Sequence, residues 1–227
     1  TVGDPTTQDD MFIRFSDQES IDQTDSYTVR AENTAGTQRL ADGSKIMGAI
    51  KGRDAIYVWT DTALFLMQFV GQPFTFSFQQ VGTNCGLFGK NACIEVDGSS
   101  YWMSENGFFT YDGQLKSMPC LVEDYVYDSI NDTSRDLINC GLNNLFGEIN
   151  WSYCSGSSDV VDRVVTYNYL DSSAERPIWT TARMNTVSGR KVGVPRTAWQ
   201  DSAVFNRPHA TFYDSDDNAS TDVTGNT

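Results

Sequence analysis

Residues 46–81, IMGAIKGRDAIYVWTDTALFLMQFVGQPFTFSFQQV, decide how the rest of the chain is interpreted. This stretch contains three short runs rich in β-branched and aromatic residues, namely IYVW (56–59), ALFLM (63–67) and FTFSF (74–78). Only a few turn-forming residues separate one run from the next, a pattern typical of an antiparallel meander. In the third run Phe alternates with Thr and Ser, which predicts a strand with one aromatic and one polar face.

The same unit recurs further along the chain. The segment 57–65, YVWTDTALF, is repeated at an offset of 44 residues as YWMSENGFF, so that Tyr57 corresponds to Tyr101 and Asp61 to Glu105. A strand, an acidic turn and an aromatic strand therefore follow one another in both copies. A period of about 45 residues with one antiparallel sheet per repeat is typical of β-propeller blades.

A third, looser copy begins at INWSY (149–153), which we expect to pair with RVVTYNY (163–169) across the loop 155–162. PIWT (177–180) would be the next strand of that sheet, and ATFYD (210–214) suggests the start of a further unit. We therefore predict an all-β protein, a β-propeller-like array of antiparallel four-stranded sheets that forms a partial propeller in this chain. A generic β-sandwich is the alternative, since unrelated hairpins can show this degree of self-similarity.

The sequence divides into a polar segment that joins the first sheet, a propeller-like β domain and an acidic, poorly ordered end: residues 1–44, 45–213 and 214–227. Within the first region, MFIRF (11–15) is predicted to be a strand, SYTV (26–29) a weaker strand and residues 30–43 a long loop. Farther on, residues 82–91 are interpreted as a glycine-rich connector. The pair Asp97-Gly98 then predicts a tight hairpin turn.

Residues 119–136 differ from the rest because apolar residues recur there at helical spacing: Leu121, Val122, Tyr125, Val126 and Ile130. This predicts a single helix of two to four turns, roughly 8–14 residues, ended by NDT (131–133). We interpret it as a short inserted helix that packs on a sheet edge; a binding role is the alternative.

Composition and charge restrict the function classes open to this 227-residue chain. Hydrophobic residues make up 39% of it and aromatic residues 12%, which is typical of a globular protein. The formal net charge of −14 argues against a protein that grips phosphates. Five scattered cysteines without a CxxC pair favour buried reduced thiols: Cys85, Cys93, Cys120, Cys140 and Cys154. A Cys85–Cys93 bridge is the alternative.

Few residues have the spacing that catalysis or metal binding requires. His209 is the only histidine and no GxSxG element is present, so we interpret His209 as a turn residue. The sequence also lacks zinc-ligand spacing and the Gly-rich loops that bind phosphate. We therefore predict no catalytic residue, no cofactor-binding residue and no metal ligand, and we expect that the protein is not an enzyme.

For two groups of acidic residues, a catalytic or calcium-binding role is the alternative to a structural one. A glycosidase-type carboxylate pair could be drawn from residues near hairpin turns, where carboxylates more often accept backbone hydrogen bonds: Glu95, Asp97, Glu105 and Asp112. The run DSDDNASTD, from Asp214 to Asp222, alternates oxygen ligands as calcium loops do. Ala219 stands where such a loop needs Gly, so we prefer a solvated acidic turn.

Several segments, in this order, resemble a family of structural proteins from tailed double-stranded DNA bacteriophages: NTAG (33–36), QRL (38–40), GSKIMGAI (43–50), residues 56–78, PCLVEDYVYDSIN (119–131), VVDRVVTYNYL (160–170) and PRTAW (195–199). The family comprises tail hub, tail nozzle and packaged-DNA-stabilisation proteins that carry a β-propeller. The resemblance implies a virion protein in a homo-oligomeric ring, commonly a hexamer, that closes or lines the DNA exit channel below the portal.

The same resemblance implies the partners and the location. Other phage tail proteins, such as the adaptor and fibres, would flank the ring, and double-stranded DNA would pass during ejection without specific binding. The particle would contain no membrane and would assemble in the host bacterial cytoplasm, which keeps cysteines reduced. An acidic wall would repel DNA within a Debye length, about 10 Å at 0.1 M salt.

Despite the acidic net charge, one segment of the chain carries several basic residues: Arg183, Arg190, Lys191 and Arg196. They could grip a phosphate, but we expect them to meet acidic residues of a neighbouring subunit. The main alternative function is a carbohydrate-binding or carbohydrate-active propeller, in which Trp59, Trp102 or Trp151 would line a cleft beside carboxylates. An extracellular adhesion propeller is a third possibility.

Overall fold

In the computed structural model, the described part of the chain consists of residues 2–4, 9–20, 25–156, 158–183, 185–187, 190–192, 199–200 and 209–210. These residues form six antiparallel sheets, three of which have four strands, and very little helix. The predicted all-β, propeller-like class is therefore confirmed. The chain divides into two compact units, an N-terminal unit (Thr1–Leu87) and a C-terminal unit (Phe88–Thr227).

The N-terminal unit contains two sheets. One has three strands in the order β1-β2-β3, and the other has four strands in the order β4-β5-β6-β7. Their bounds are β1 (Val2–Asp4), β2 (Asp9–Phe15), β3 (Gly36–Arg39), β4 (Ile46–Lys51), β5 (Ile56–Thr60), β6 (Ala63–Gly71) and β7 (Thr75–Thr83). The runs at 56–59, 63–67 and 74–78 are confirmed as successive antiparallel strands, although β7 begins only at Thr75.

Two expectations for the N-terminal unit are wrong, and one strand is missing from the prediction. Residues 25–27 form a turn, closed by the hydrogen bond from Thr28 N to Asp25 O (3.0 Å), so SYTV is not a strand. The predicted loop instead contains β3, which pairs with β2. β4 has no counterpart among the predicted strands, because a bulge between Ile46 and Gly48 interrupts the alternation of its side chains.

The core of the N-terminal unit forms where β2 packs on the sheet that contains β5 and β6. Its buried members follow the two-residue period of strands, in which alternate side chains share a face: Met11, Ile13, Leu40, Val58, Ala63, Phe65 and Met67. Because each large aliphatic or aromatic side chain contributes about 1.5–3 kcal/mol when buried, this face fixes the register of both sheets.

The C-terminal unit contains two four-stranded sheets, in the orders β11-β10-β9-β8 and β12-β13-β14-β15, and two small hairpins. The first sheet comprises β8 (Cys93–Val96), β9 (Ser99–Ser104), β10 (Gly107–Tyr111) and β11 (Leu115–Met118). The second comprises β12 (Asn139–Asn143), β13 (Glu148–Tyr153), β14 (Arg163–Asn168) and β15 (Trp179–Arg183). The hairpins are β16 (Asn185–Val187) with β17 (Arg190–Val192), and β18 (Trp199–Gln200) with β19 (His209–Ala210).

The 44-residue repeat has the same strand pairing in both copies. Trp59 lies opposite Leu64 on β6, and Met103, 44 residues after Trp59, lies opposite Phe108 on β10. Tyr57 and Tyr101 therefore occupy equivalent positions on the second strands of two separate sheets, as the sequence predicted. The turn at Asp97-Gly98 is also confirmed, with φ angles of 51° and 86° at the two residues.

Each four-stranded sheet has a fully buried tryptophan on its second strand: Trp59, Trp102 and Trp151, all 0% exposed. In the C-terminal unit the first strands β8 and β12 lie side by side. Asn91, just before β8, forms a parallel bridge with Asn139, the first residue of β12. The backbone N–H of Cys140 donates to Asn91 O at 2.8 Å. Meanders that meet through their first strands in this way have the arrangement of propeller blades.

The inserted helix is present but shorter than predicted. It is α1 (Glu123–Tyr127), a single turn of five residues, followed by a 3-10 helix (Asp132–Leu137) that Asn131 caps through Thr133 N (3.0 Å). Val126 is the only buried residue of α1, whereas Leu121 is 81% exposed. The apolar spacing therefore does not mark a continuous core face. None of the helices in the described residues is long and apolar enough to span a membrane.

Candidate interaction surfaces

The residues considered above as catalytic candidates lie on strands and at hairpin turns. His209 lies on β19 opposite Gln200, so its interpretation as a turn residue is wrong. Glu95 accepts a hydrogen bond from the backbone N–H of Gly98 at 2.6 Å and so closes the β8–β9 turn. This carboxylate stabilises the hairpin, in line with the structural reading of the acidic turns.

Glu105 and Asp112 also have partners nearby. Glu105 pairs with Arg135 at 3.2 Å, and that guanidinium also lies 4.7 Å from the ring centre of Phe88. Asp112 accepts hydrogen bonds from Lys116 Nζ at 2.7 Å and from Gln114 N at 3.2 Å, and these bonds hold the pKa of Asp112 below its ordinary value. The structure therefore gives Glu95, Glu105 and Asp112 each a local partner.

The tryptophans proposed for a sugar-binding cleft are not accessible to a ligand. Trp59, Trp102 and Trp151 are completely buried. Trp151 donates its indole N–H to Ala92 O at 2.9 Å, which ties β13 to the segment before β8. Stacking of a sugar needs an exposed aromatic face, so these residues belong to the core and do not form a binding site.

Neither a metal-ligand group nor a disulfide occurs in the described residues. They contain no group of three His, Cys, Asp or Glu side chains placed to hold a metal ion, and the predicted acidic turn from Asp214 to Asp222 lies outside them. None of the five cysteines forms a disulfide, so the Cys85–Cys93 bridge is wrong. Burial raises the pKa of the Cys93 thiol to about 12 and that of Cys85 to about 11.

One exposed apolar surface lies at the tip of the β6–β7 hairpin and is called here the β6–β7 tip: Phe69, Val70 and Phe74. The exposed fractions of Phe69 and Phe74 are 69% and 76%. The Phe69 ring contacts Phe76 edge to face with centroids 5.7 Å apart, and Phe76 contacts Phe15 at 4.9 Å. An aromatic row therefore leads from the core of the N-terminal unit to solvent.

Two grooves flank the β6–β7 tip, with volumes of about 560 Å³ and about 390 Å³. The larger one includes Asp17, whose carboxylate accepts hydrogen bonds from Thr34 N at 2.9 Å and Gln18 N at 2.9 Å. Hydrogen bonds from Thr34 are the main reason that the pKa of Asp17 is lowered. The larger groove is lined mostly by apolar surface, with Phe69 and Phe76 among its residues, so it suits an apolar side chain.

A second exposed apolar surface lies in the C-terminal unit and is called here the β12–β13 tip: Leu145, Phe146 and Leu170. Leu145 and Phe146 occupy the turn between β12 and β13, and Leu170 follows β14. Their exposed fractions are 63%, 61% and 64%. Sequence reasoning missed both tips, because a turn is expected to be polar and exposure cannot be read from one sequence.

The basic segment is only partly described. Arg183 ends β15, Arg190 and Lys191 lie on β17, and Arg196 lies outside the described residues. Arg183 does not act alone: its Nε donates to Tyr125 Oη at 3.0 Å, and Nη1 of Arg163 donates to the same oxygen. Sequence reasoning missed Arg163 because its cross-strand neighbour depends on the β14–β15 register.

Comparison with models of protein families and with curated proteins finds no match for this sequence.

Proposed function

We propose that this chain is a structural virion protein of a tailed double-stranded DNA phage. It would be a subunit of the tail hub or nozzle ring below the portal, and it would close or line the DNA exit channel. The observation that supports this most is the combination of three blade-like sheets with apolar hairpin tips exposed to solvent.

The exposed tips support an assembly role. Monomeric soluble proteins rarely expose clustered large apolar side chains, and such patches commonly mark protein–protein contacts. The β6–β7 tip and the β12–β13 tip belong to different units and differ in sequence. Contact between two unlike surfaces of successive copies is heterologous, and it closes a ring when the rotation between copies allows. A homo-oligomeric ring, with six copies favoured, is consistent with these two surfaces.

The site residues support a structural role over carbohydrate chemistry. The three core tryptophans are inaccessible, and Glu95, Glu105 and Asp112 each have a local partner. A sugar-active propeller requires exposed aromatic faces beside a free carboxylate pair. The net charge of −14 further supports a channel wall along which DNA slides, since phosphates would be repelled.

The test is the position and symmetry of the chain in a cryo-electron microscopy map of intact phage particles that contain it. We expect a ring on the tail axis below the portal. A position at the end of a fibre, or absence from purified particles, would contradict the proposal. As a second test, Phe74→Ser and Phe146→Ser should each weaken ring formation by the purified chain without lowering its midpoint of thermal unfolding.

A further inference from the structure

We propose that Arg163, Arg183 and Tyr125 form a carboxylate clamp that binds an acidic side chain of a second copy of this chain. The proposal rests on the proposed function, because it assumes that copies assemble. It adds the residues that make one polar contact between copies and the chemical group that they bind.

The geometry of the clamp is set by the second sheet of the C-terminal unit and by α1. Arg163 at the start of β14 lies directly opposite Arg183 at the end of β15. Tyr125, on α1, places its hydroxyl between them, and both guanidinium groups donate to it. Their central carbon atoms lie 5.8 Å and 5.9 Å from the centre of the Tyr125 ring. Two cations therefore converge on one phenolic oxygen.

The charges of the clamp are not balanced by the described residues. Like charges directly opposite each other on adjacent strands are destabilising. Arg163, whose side chain is 16% exposed, has one carboxylate nearby, Asp162, at 3.7 Å. That carboxylate already accepts hydrogen bonds from Ser155 N at 2.7 Å and Ser155 Oγ at 2.6 Å. Arg183 has no carboxylate within 4.0 Å in the described part of the chain.

The two guanidinium groups of the clamp also have more N–H donors than the Tyr125 oxygen accepts. A guanidinium carries five N–H donors in a planar fork that matches the two oxygens of a carboxylate. The Tyr125 oxygen accepts one donor from each arginine. Since Tyr125 fixes the guanidinium groups before any ligand arrives, a carboxylate would bind with little further loss of side-chain entropy.

A carboxylate of another copy fits the clamp better than a DNA phosphate. The chain has 30 Asp and Glu residues against 16 Lys and Arg residues, so another copy brings an excess of carboxylates. The net charge of −14 repels duplex DNA at long range. A closed assembly of an acidic protein needs its few cations at the contacts, where desolvated Arg–carboxylate pairs add specificity.

The experiment is sedimentation velocity of the purified chain over a range of protein concentrations, with Arg183→Gln as the main variant. Gln keeps part of the length and polarity of the side chain but removes the charge. The matched control is Arg176→Gln, which removes one positive charge from an exposed position in the loop between β14 and β15. We expect Arg183→Gln to raise the assembly dissociation constant at least about tenfold and Arg176→Gln to leave it unchanged.

Tyr125→Phe separates positioning from charge. It keeps both arginines but removes the oxygen that orients them, so we expect a smaller rise in the dissociation constant than for Arg183→Gln. Independently, an arginine-specific dicarbonyl reagent followed by mass spectrometry should modify Arg183 more slowly in the assembled protein than in the dissociated one. Equal modification rates in the two states would overturn the clamp.

The outcomes separate this proposal from the ring proposal. Rings that form equally well with Arg183→Gln and Arg176→Gln would overturn the clamp alone. A two-fold dimer that Arg183→Gln weakens would support the clamp and overturn the ring. A wild type that stays monomeric would overturn both. Micromolar duplex binding that Arg183→Gln abolishes would show that the clamp binds phosphate, which overturns the carboxylate assignment.

Discussion

At the turn between β5 and β6, the Asp61 carboxylate joins the start of β4 to the hairpin. It accepts hydrogen bonds from Ser44 N at 2.8 Å and Ser44 Oγ at 2.5 Å. Burial alone would raise the pKa of Asp61, but these bonds and a bond from Lys45 N outweigh burial and hold the pKa below its ordinary value of 3.8. The ionised form therefore stabilises the fold.

Asp61→Asn should lower the free energy of unfolding by about 1 kcal/mol at pH 7. Because the pKa of Asp61 is lowered in the folded state, its stabilisation is complete above the unfolded pKa and is lost as the pH falls through the folded pKa. The difference between wild type and variant should thus shrink below pH ~4. Urea unfolding at pH 7 and pH 3 measures it. Asp54→Asn, at an exposed turn position, is the control and should change stability little at either pH.

The cysteines give a second prediction at the residue scale. Burial raises the pKa of Cys93 to about 12 and that of Cys120 to about 11, and it raises the pKa of Cys140 well above 9.0. At pH 8 a thiol of pKa 11 is ionised to only roughly one part in a thousand, and the thiolate is the reactive form.

The native protein should therefore react slowly with an aromatic disulfide reagent at pH 8. After unfolding in guanidinium chloride without reductant, it should release five equivalents, one from each cysteine. Rapid release of five equivalents by the native protein would contradict the burial of the thiols. Release of three equivalents after unfolding would indicate a disulfide.

Among the elements, those with two strand neighbours were predictable from sequence and most edge strands were not. β5, β9 and β13 are second strands of their sheets and carry a tryptophan with other strand-forming residues, so composition and period identify them. β3 is an edge strand whose side chains are mostly exposed, and its sequence GTQR has no apolar face to recognise. β12 contains Asn at both ends and Gly141 between them.

The helix and the clamp show why longer-range features were missed. The apolar positions near α1 have helical spacing, but only a single α-helical turn forms, in which Val126 is buried whereas Tyr125 and the preceding Leu121 are exposed. The pairing of Arg163 with Arg183 depends on the register of β14 and β15, and the irregular connection between these strands gives no turn signature. Contacts set by register across an irregular loop cannot be read from one sequence.

The segment after β7 gives a prediction at the element scale. The sequence predicts only a connector there, yet Cys85 N donates to Thr62 O and Leu87 N donates to Thr60 O, both at 3.0 Å. A Cβ atom added at Gly86 would lie 2.1 Å from Asp61 O. Because these backbone bonds prevent either segment from moving away, Gly86→Ala should lower the free energy of unfolding by about 1–3 kcal/mol.

Gly156→Ala is the matched control, since the nearest atom to an added Cβ there, Ser129 O, lies at an ordinary distance of 3.6 Å. Its effect should be neutral or slightly stabilising, by about 0.4–1 kcal/mol. Urea unfolding of the two variants gives the comparison. Equal stability of both variants would show that the segment after β7 can separate from the β5–β6 turn at no cost.

At the scale of the whole molecule, the charge of −14 should keep the protein from binding duplex DNA. Non-specific DNA-binding proteins reach dissociation constants of about 10⁻⁴ to 10⁻⁶ M by neutralising phosphates with clustered Lys and Arg. Fluorescence anisotropy with a labelled duplex at physiological salt should show no binding in this range. The part of the chain that could bind DNA despite the net charge is the basic segment, in which Arg190 and Lys191 lie together on β17.

The double variant Arg190→Glu, Lys191→Glu separates the two roles open to that segment. If its cations meet acidic residues of a neighbouring copy, the variant should assemble poorly while DNA binding stays undetectable for both proteins, since like charges across an interface oppose association. If instead the wild type binds duplex at micromolar concentration and the variant does not, the segment holds phosphates. DNA would then adhere to the protein during passage, which would contradict the proposal of an acidic channel wall that repels DNA.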